Sequence, residues 1–357
     1  MFHLRLKIFI VIFSSVFVTS QQTNNCTITE FSQVERVLRE CTDIVISNLT
    51  VPGGVQLKLD LQKGSIVTFN GNIVFEVAYW DGHLIQVSGE GVLVQGAPGS
   101  VLNAQGEKYW DGMGGDGGVR KPKFFEISTT GGSVFRNIYL LNCAHFCVGV
   151  SATDVHIYGF TIDVVAGNLN GGLNTDGFGV SNSHNVLIEN SVVMNQDDCV
   201  VVNFGSNMVF RNLQCYGSHG LSFSLGSSHT DDDNAVTQNI TFEDCIVANG
   251  LYGIHLKTKR GTGLLRDVIY KNIRLSGITE DGIYINQDYG DIGNTARPYQ
   301  ISNLKISNVY GSVNGQLARP VHVVCNKDAC SDWTWSNINI LGTGKSYCNY
   351  LPSGFVC

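Results

Sequence analysis

After residue 20 the chain has no apolar run long enough to cross a bilayer, which leaves no later membrane span. It has no two closely spaced cysteine pairs joined by suitable histidine spacing, which argues against a structural zinc site. It has no convincing long helical period, and only 15% of its 357 residues are charged. Cations are outnumbered, 23 Lys and Arg against 30 Asp and Glu, for a formal charge of −7. That balance opposes long-range attraction of a polyanion, so an acidic ligand must be held by a local cationic patch, and nucleic acid is not an expected partner.

What is present is apolar content of 43% and 41 glycines, enough for a substantial buried core. Residues 1–20 carry Arg5 and Lys7, then Ile8 to Phe13, then small residues to Ser20, the pattern of a cleaved secretory signal rather than a membrane anchor. Its loss leaves 21 cations against 30 anions, or −9. The expectation is a secreted, extracellular protein whose residues 21–357 form one domain, with no membrane association, as a monomer. All eleven cysteines lie beyond the leader, which fits an oxidising compartment. Spacing suggests the pairs Cys26/Cys41, Cys199/Cys215, Cys325/Cys330 and Cys348/Cys357, with Cys245 a buried free thiol in an apolar strand. Sequons stand at Asn25, Asn48 and Asn239.

Phe31, Val34, Val37 and Leu38 fall at helical spacing and predict a short helix that caps the end of a stack. From Ile44 on, short β-branched runs alternate with Gly or Asn, as at 44–46, 55–57, 73–75, 84–87 and 92–94, and the body is all-β. A weak repeat then appears. Strands end in turn at Asn137, Gly159, Asn190, Asn212, Asp244, Asn272 and Asn308, at spacings of 22, 31, 22, 32, 28 and 36. Asn, Asp and Gly tolerate positive φ, so each marks a bend at a fixed phase. A base period near 22 with insertions and no helices predicts a parallel β-helix rather than a β-sandwich. The insertions at 109–118, 167–173 and 227–238 are expected to rim a groove, and Asp231, Asp232 and Asp233 to form a solvated loop.

Measured from the preceding bend, Asp197 and Asp198 lie at offsets seven and eight, and His219 at seven. Asp176 falls at eight if the nine surplus residues of its coil precede it, and Lys257 at seven if the six surplus residues of its coil do. The phase thus gathers three carboxylates, a histidine and a lysine on one face. Stacked carboxylates push one pKa upward, which supplies the protonated acid and ionised base that glycoside hydrolysis needs. Presenting both Asp197 and Asp198 to one side requires a bend, because strand neighbours face opposite ways.

These segments carry a resemblance. Asn174-Thr175-Asp176-Gly177-Phe178, Asn195-Gln196-Asp197-Asp198-Cys199 and Ser218-His219-Gly220-Leu221-Ser222 resemble, in order and spacing, the signature segments of the polygalacturonase family, glycoside hydrolase family 28. The resemblance implies a right-handed parallel β-helix with no metal or other cofactor. It implies inverting hydrolysis of α-1,4-galacturonic acid linkages, with pectin, polygalacturonic acid and oligogalacturonides as partners and endo action expected. Asp197 matches the family's general acid, Asp176 and Asp198 the carboxylates that hold and activate water, and His219 the histidine that supports the acid. Asn174, His255, Lys257 and Tyr289 match substrate-contacting positions. Two departures stand out: His255 replaces a usual arginine, which predicts weaker or pH-dependent binding, and Gly179 replaces a common acidic residue. The competing readings are a pectin-binding protein without turnover and a hydrolase of another galacturonan such as rhamnogalacturonan.

Overall fold

The computed structural model describes residues 25–357 except 116, 227–234, 260, 288 and 290–297. The leader at 1–20 and the aspartates 231–233 lie outside the described residues. Among the described residues, the strands form one sheet of 19 and one of 11, and the pairings within both are parallel. The chain is a parallel β-helix, as the repeat predicts. Each coil lays one strand in the smaller sheet. It then crosses to the larger sheet and there runs through a bent strand or strand pair, for example Thr153–Tyr158 with Thr161–Asp163, or the continuous Ser183–Met194.

The bends fall where the repeat puts them. Asn137, Gly159, Asn190, Asn212, Asp244, Asn272 and Asn308 all have φ between 50° and 67°. Outside glycine, asparagine and aspartate enter this left-handed region most readily. Their side chains also pair from coil to coil: Asn212 Nδ2 donates to Asn190 Oδ1 at 2.6 Å, Asn272 to Asp244 at 2.8 Å, Asn308 to Asn272 at 2.9 Å and Asn337 to Asn308 at 2.9 Å. A second ladder joins Asp154, Asn185, Asn207 and Asn239.

Inside, residues in register stack in continuous files. One file runs from Ile44 through Val67, Val94, Phe135, Ile157, Ile188 and Phe210 to Phe242, Tyr270, Ile306 and Trp335, all fully buried. The rings of Phe210, Phe242 and Tyr270 stack at 4.7 and 4.8 Å, the separation of neighbouring strands. The 3-10 turn Phe31–Gln33 and helix Val34–Glu40 cover the first coil, burying Val34 and Val37. The disulfide Cys26–Cys41 spans this cap. The other three expected disulfides form as well, and Cys245 is free and buried. A fifth, Cys143–Cys147, was not anticipated from sequence. The strand expected at 55–57 begins only at Leu57 and runs to Asp60, after a turn at 53–54.

Candidate active site

The candidate residues gather on the outer side of the smaller sheet. Asp176 stands two residues before strand Phe178–Val180, and Asp198 two before Val200–Val202. Phe178 pairs with Val200, so the two aspartates lie level on adjacent coils, and the nine surplus residues of the Asp176 coil do precede it. They include the helical turn Gly167–Asn170. Asp197 and Asp198 share the bend that the alternation rule requires, which is tied from within by buried Asn195. Its Nδ2 donates to the carbonyls of Thr175, Asp197 and Asp198 at 2.8–3.1 Å. The Thr175 hydroxyl donates to Gln196 Oε1 at 2.9 Å and accepts from Gln196 N–H at 3.0 Å, binding the two aspartate turns together.

For Lys257 the expected offset is wrong. Ile254 pairs with Leu221, which puts Lys257 five positions further along its coil than His219. The surplus residues come after Lys257, between Thr258 and Leu264. The lysine reaches the cluster because it stands on strand Tyr252–Thr258, alternating with core Ile254 and Leu256, and its long chain lets Nζ approach Asp198 Oδ2 to 2.7 Å. His255 shares that outward face, two residues earlier. Tyr289 closes the side: its ring centroid lies 5.4 Å from Lys257 Nζ and 6.2 Å from the His255 ring.

The three carboxylates have different surroundings. Both oxygens of Asp198 are engaged, Oδ2 by Lys257 and Oδ1 by the Ser222 hydroxyl at 2.6 Å. Asp197 Oδ1 lies 3.1 Å from His219 Nδ1 and accepts from the Asp198 N–H at 2.7 Å, while Oδ2 accepts from Asn174 Nδ2 at 3.1 Å. Asp176 Oδ1 is buried and has no hydrogen-bond partner among the described residues. The electrostatic order follows. Burial, then the charges of Asp197 and Asp198, pushes Asp176 well above the usual carboxylate range. Burial also raises Asp198, against the opposing pull of Lys257. Burial opposes ionisation of Asp197 too, but the His219 hydrogen bond and charge, with Lys257, outweigh it and hold Asp197 low. A proton entering the cluster of the unliganded protein therefore goes to Asp176 in preference to Asp197, while Asp198 stays paired with Lys257.

Asp197, Asp198 and His219 each offer a donor atom within 4.8 Å of the others. A divalent ion there would share Asp198 with the ammonium of Lys257, already 2.7 Å away. Like charges at that edge disfavour it.

His255 is 2% exposed, packed between Tyr252 at 4.2 Å and Tyr284 at 5.3 Å, and neither ring nitrogen has a hydrogen-bond partner among the described residues. Burial, then the nearby Lys257 charge, drives its pKa well below the ordinary histidine value. The pH-dependent cation expected of His255 is thus replaced by a neutral imidazole. Gly179 lines the groove, and a Cβ there would meet nothing nearer than 3.9 Å, so no local crowding demands glycine.

The groove over the carboxylates has a volume of about 520 Å³ and extends from His83 and Lys123 to Lys259 and Tyr289. Lys123 and Lys259 are cations that the motif reading missed; Lys123 opens strand Lys123–Thr130 and Lys259 directly follows strand Tyr252–Thr258, places legible only with the register known. Ser222 was missed for the same reason, although the segment holding it was singled out. Of the expected rims, 109–118 and 167–173 lean together through the Gly112 N–H to Gly171 carbonyl bond at 3.1 Å and border Asn174. The third loses 227–234 to the undescribed residues, and its end enters strand Val236–Glu243.

Residues 41–357 match the sequence model of the glycosyl hydrolases family 28. A polygalacturonase of Phaedon cochleariae is 43% identical over 347 residues, covering 94% of each chain. Endopolygalacturonase I of Aspergillus niger is 39% identical over 345 residues, covering 95% of this chain and 92% of its own. Among solved structures, endopolygalacturonase I from Stereum purpureum, complexed with two galacturonates, superposes with a TM-score of 0.81 at 31% identity, covering 90% of this chain and 96% of that one.

Proposed function

The chain belongs to the glycosyl hydrolases of family 28, and on that premise we propose that it is an endo-acting polygalacturonase, cleaving α-1,4-galacturonic acid linkages of pectin with inversion. The observation that carries the reading is the convergence of Asp176, Asp197 and Asp198 with His219 and Lys257 at one groove. The relatives named polygalacturonase, matched over more than nine-tenths of the chain, point the same way.

In this reading Asp197 donates its proton to the leaving glycosidic oxygen. Asp176 and Asp198 hold the attacking water and take its proton as it adds to the anomeric carbon from the opposite side. The partnerless Asp176 Oδ1 is the free acceptor for that water, whereas Lys257 and Ser222 fill the oxygens of Asp198. Asp197 starts ionised in the free protein. On substrate binding the proton that Asp176 holds in the free protein passes to Asp197, whose protonated form a bound uronate's charge favours, so that Asp197 is the acid and Asp176, now ionised, the base. His219, at 3.1 Å, sets how readily that happens. Lys257 neutralises Asp198, and its remaining donors, with Lys123 and Lys259 along the groove, meet substrate carboxylates. Asn174 and Tyr289 complete the substrate contacts, while His255, expected there from its position, lies 2% exposed between Tyr252 and Tyr284 and backs this wall as a neutral group. From His83 to Lys257 the groove spans seven coils, roughly 29 Å at the usual strand spacing, room for an internal stretch of polymer.

Secretion fits five disulfides and an amino-terminal leader, with residues 21–357 as the catalytic domain of a monomer. The test is release of reducing ends from polygalacturonic acid by the wild type beside Asp197→Asn, across pH 4–7 with chelator present. Metal-independent activity lost in the variant, with a ladder of short oligomers, is expected. Inactivity of the wild type with oligogalacturonide still bound would overturn the reading.

A further inference from the structure

Two ion pairs tie the described residues of the loop after Tyr109: an exposed one, Arg120 to Asp81 at 3.4 Å, and one that is largely buried. Lys121 Nζ lies 2.9 Å from Asp111 Oδ1, and the lysine side chain is 2% exposed. The same ammonium donates to the carbonyls of Gly117 and Val119 at 3.2 and 3.0 Å. Asp111 in turn accepts from the backbone N–H groups of Met113 and Val119 at 3.0 and 2.9 Å. Burying a lysine is costly unless it is paired, so this one holds its place through these bonds.

The other side of the loop faces the carboxylates. Gly115 N–H donates to Asn174 Oδ1 at 3.0 Å, and Asn174 Nδ2 donates to Asp197 Oδ2 at 3.1 Å. With its carbonyl end taken by the loop, the Asn174 amide is left to present its NH2 to Asp197, the orientation that favours an ionised carboxylate. Gly114 lies against the same amide: its φ is +63°, and a Cβ there would sit 2.1 Å from Asn174 Oδ1, a separation only glycine permits.

We infer that the Asp111–Lys121 pair is a positioning element of the active site, holding the loop so that Gly115 fixes the Asn174 amide with its NH2 on Asp197. The kinetic consequence rests on the polygalacturonase reading; the geometric one does not. The Lys121 hydrogen bond, then those of the Val119 and Met113 N–H groups, depresses the Asp111 carboxyl to about 2. The pair therefore stays formed across pH 4–7 and acts as a strut, not a switch. Among the described residues, the charged and titratable groups around Asp197 are His219, Lys257, Asp176 and Asp198, and none belongs to the loop.

The experiment follows the Asp197 carboxyl by 13C NMR titration in the full-length protein, alongside reducing-end kinetics. Lys121→Met should raise the Asp197 midpoint by the same amount as Asn174→Ala, with no further rise in the double variant. It should also cut kcat on the order of tenfold to a hundredfold with KM little changed, the scale of a misplaced catalytic group. If Lys121→Met does not fold, Asp111→Asn, which keeps shape and one acceptor, takes its place. An unmoved Asp197 midpoint in a folded variant, or shifts that add in the double variant, would overturn the inference. A shifted midpoint in a protein whose wild type releases no reducing ends would uphold the strut and reject the polygalacturonase reading.

Discussion

Lys257 Nζ lies 2.7 Å from Asp198 Oδ2, with 8% and 2% of the two side chains exposed, and the ammonium carries the cluster's main compensating charge. Burial alone would drive Lys257 down, but the Asp198 charge and hydrogen bond reverse this and raise its pKa above the ordinary lysine value. Replacing it with methionine leaves Asp198 buried and uncompensated, a change that costs about 3–5 kcal/mol in comparable sites. Urea unfolding of Lys257→Met at pH 7 should show a loss of that order, and the deficit should shrink as the pH falls and Asp198 takes a proton. A loss that is the same at pH 4 and pH 7 would mean packing, not charge, is responsible.

Asp197→Asn removes the proton donor but keeps the size and the Asn174 side of the site. Turnover on polygalacturonic acid should fall by at least about a thousandfold, within the range lost when a general acid is removed. Titration calorimetry with an oligogalacturonide should find affinity within a few-fold of wild type. Retained turnover would move the acid role to Asp176, which holds its proton more firmly in the free protein.

His255 is neutral because it is buried, and that fixes the sign of its pH behaviour. The depressed folded pKa means the imidazole is uncharged at pH 7.5 and at pH 6.5, where an ordinary histidine would be half protonated. Any change in oligogalacturonide affinity caused by His255→Arg should therefore be the same factor at both values. A ratio that differs severalfold between them would show that the imidazole titrates in this range.

Cys245 is the odd thiol, and burial, the first cause, pushes it up to about 12. At pH 8 it is almost wholly protonated and inaccessible, so iodoacetamide should leave the folded, unreduced protein unlabelled. One alkylated site should appear once urea is added without reductant, and labelling in the folded state would contradict the burial.

The bends invite a paired comparison. At Asn212, with φ +50°, glycine removes only the ladder bond to Asn190, whereas alanine also pays for the left-handed backbone. Asn212→Ala should be less stable than Asn212→Gly by about 1 kcal/mol. Equal midpoints in chemical denaturation would remove backbone conformation as the reason for asparagine here.

How much of this was legible in the sequence depends on how local the cause is. The bends were, because positive φ selects Asn, Asp or Gly whatever lies nearby. So were the end cap and four disulfides. Asp176 fell at its expected level because its surplus residues form a turn before the strand. Lys257 did not, because a count cannot say on which side of a residue an insertion sits. The state of His255 was hidden for another reason: its depressed pKa comes from Tyr252 and Tyr284, one of them on the next coil, and coil neighbours follow only from register. Lys121 gave no sign of burial, since its partner Asp111 lies in a glycine-rich stretch with no period.

The asparagine ladders also bear on how the chain finds its alignment. Rungs made of like residues cannot tell one another apart, so a chain threaded one storey too high would satisfy most of them equally well. The intervals between bonded rungs, however, are uneven: 31 residues from Asp154 to Asn185, 22 to Asn207, 32 to Asn239. A slipped thread would have to stretch a short storey across the span of a long one. The inserted loops that rim the groove thus act as the notches of a key, and shortening one of them threatens the alignment of the whole stack as well as its grip on a polymer.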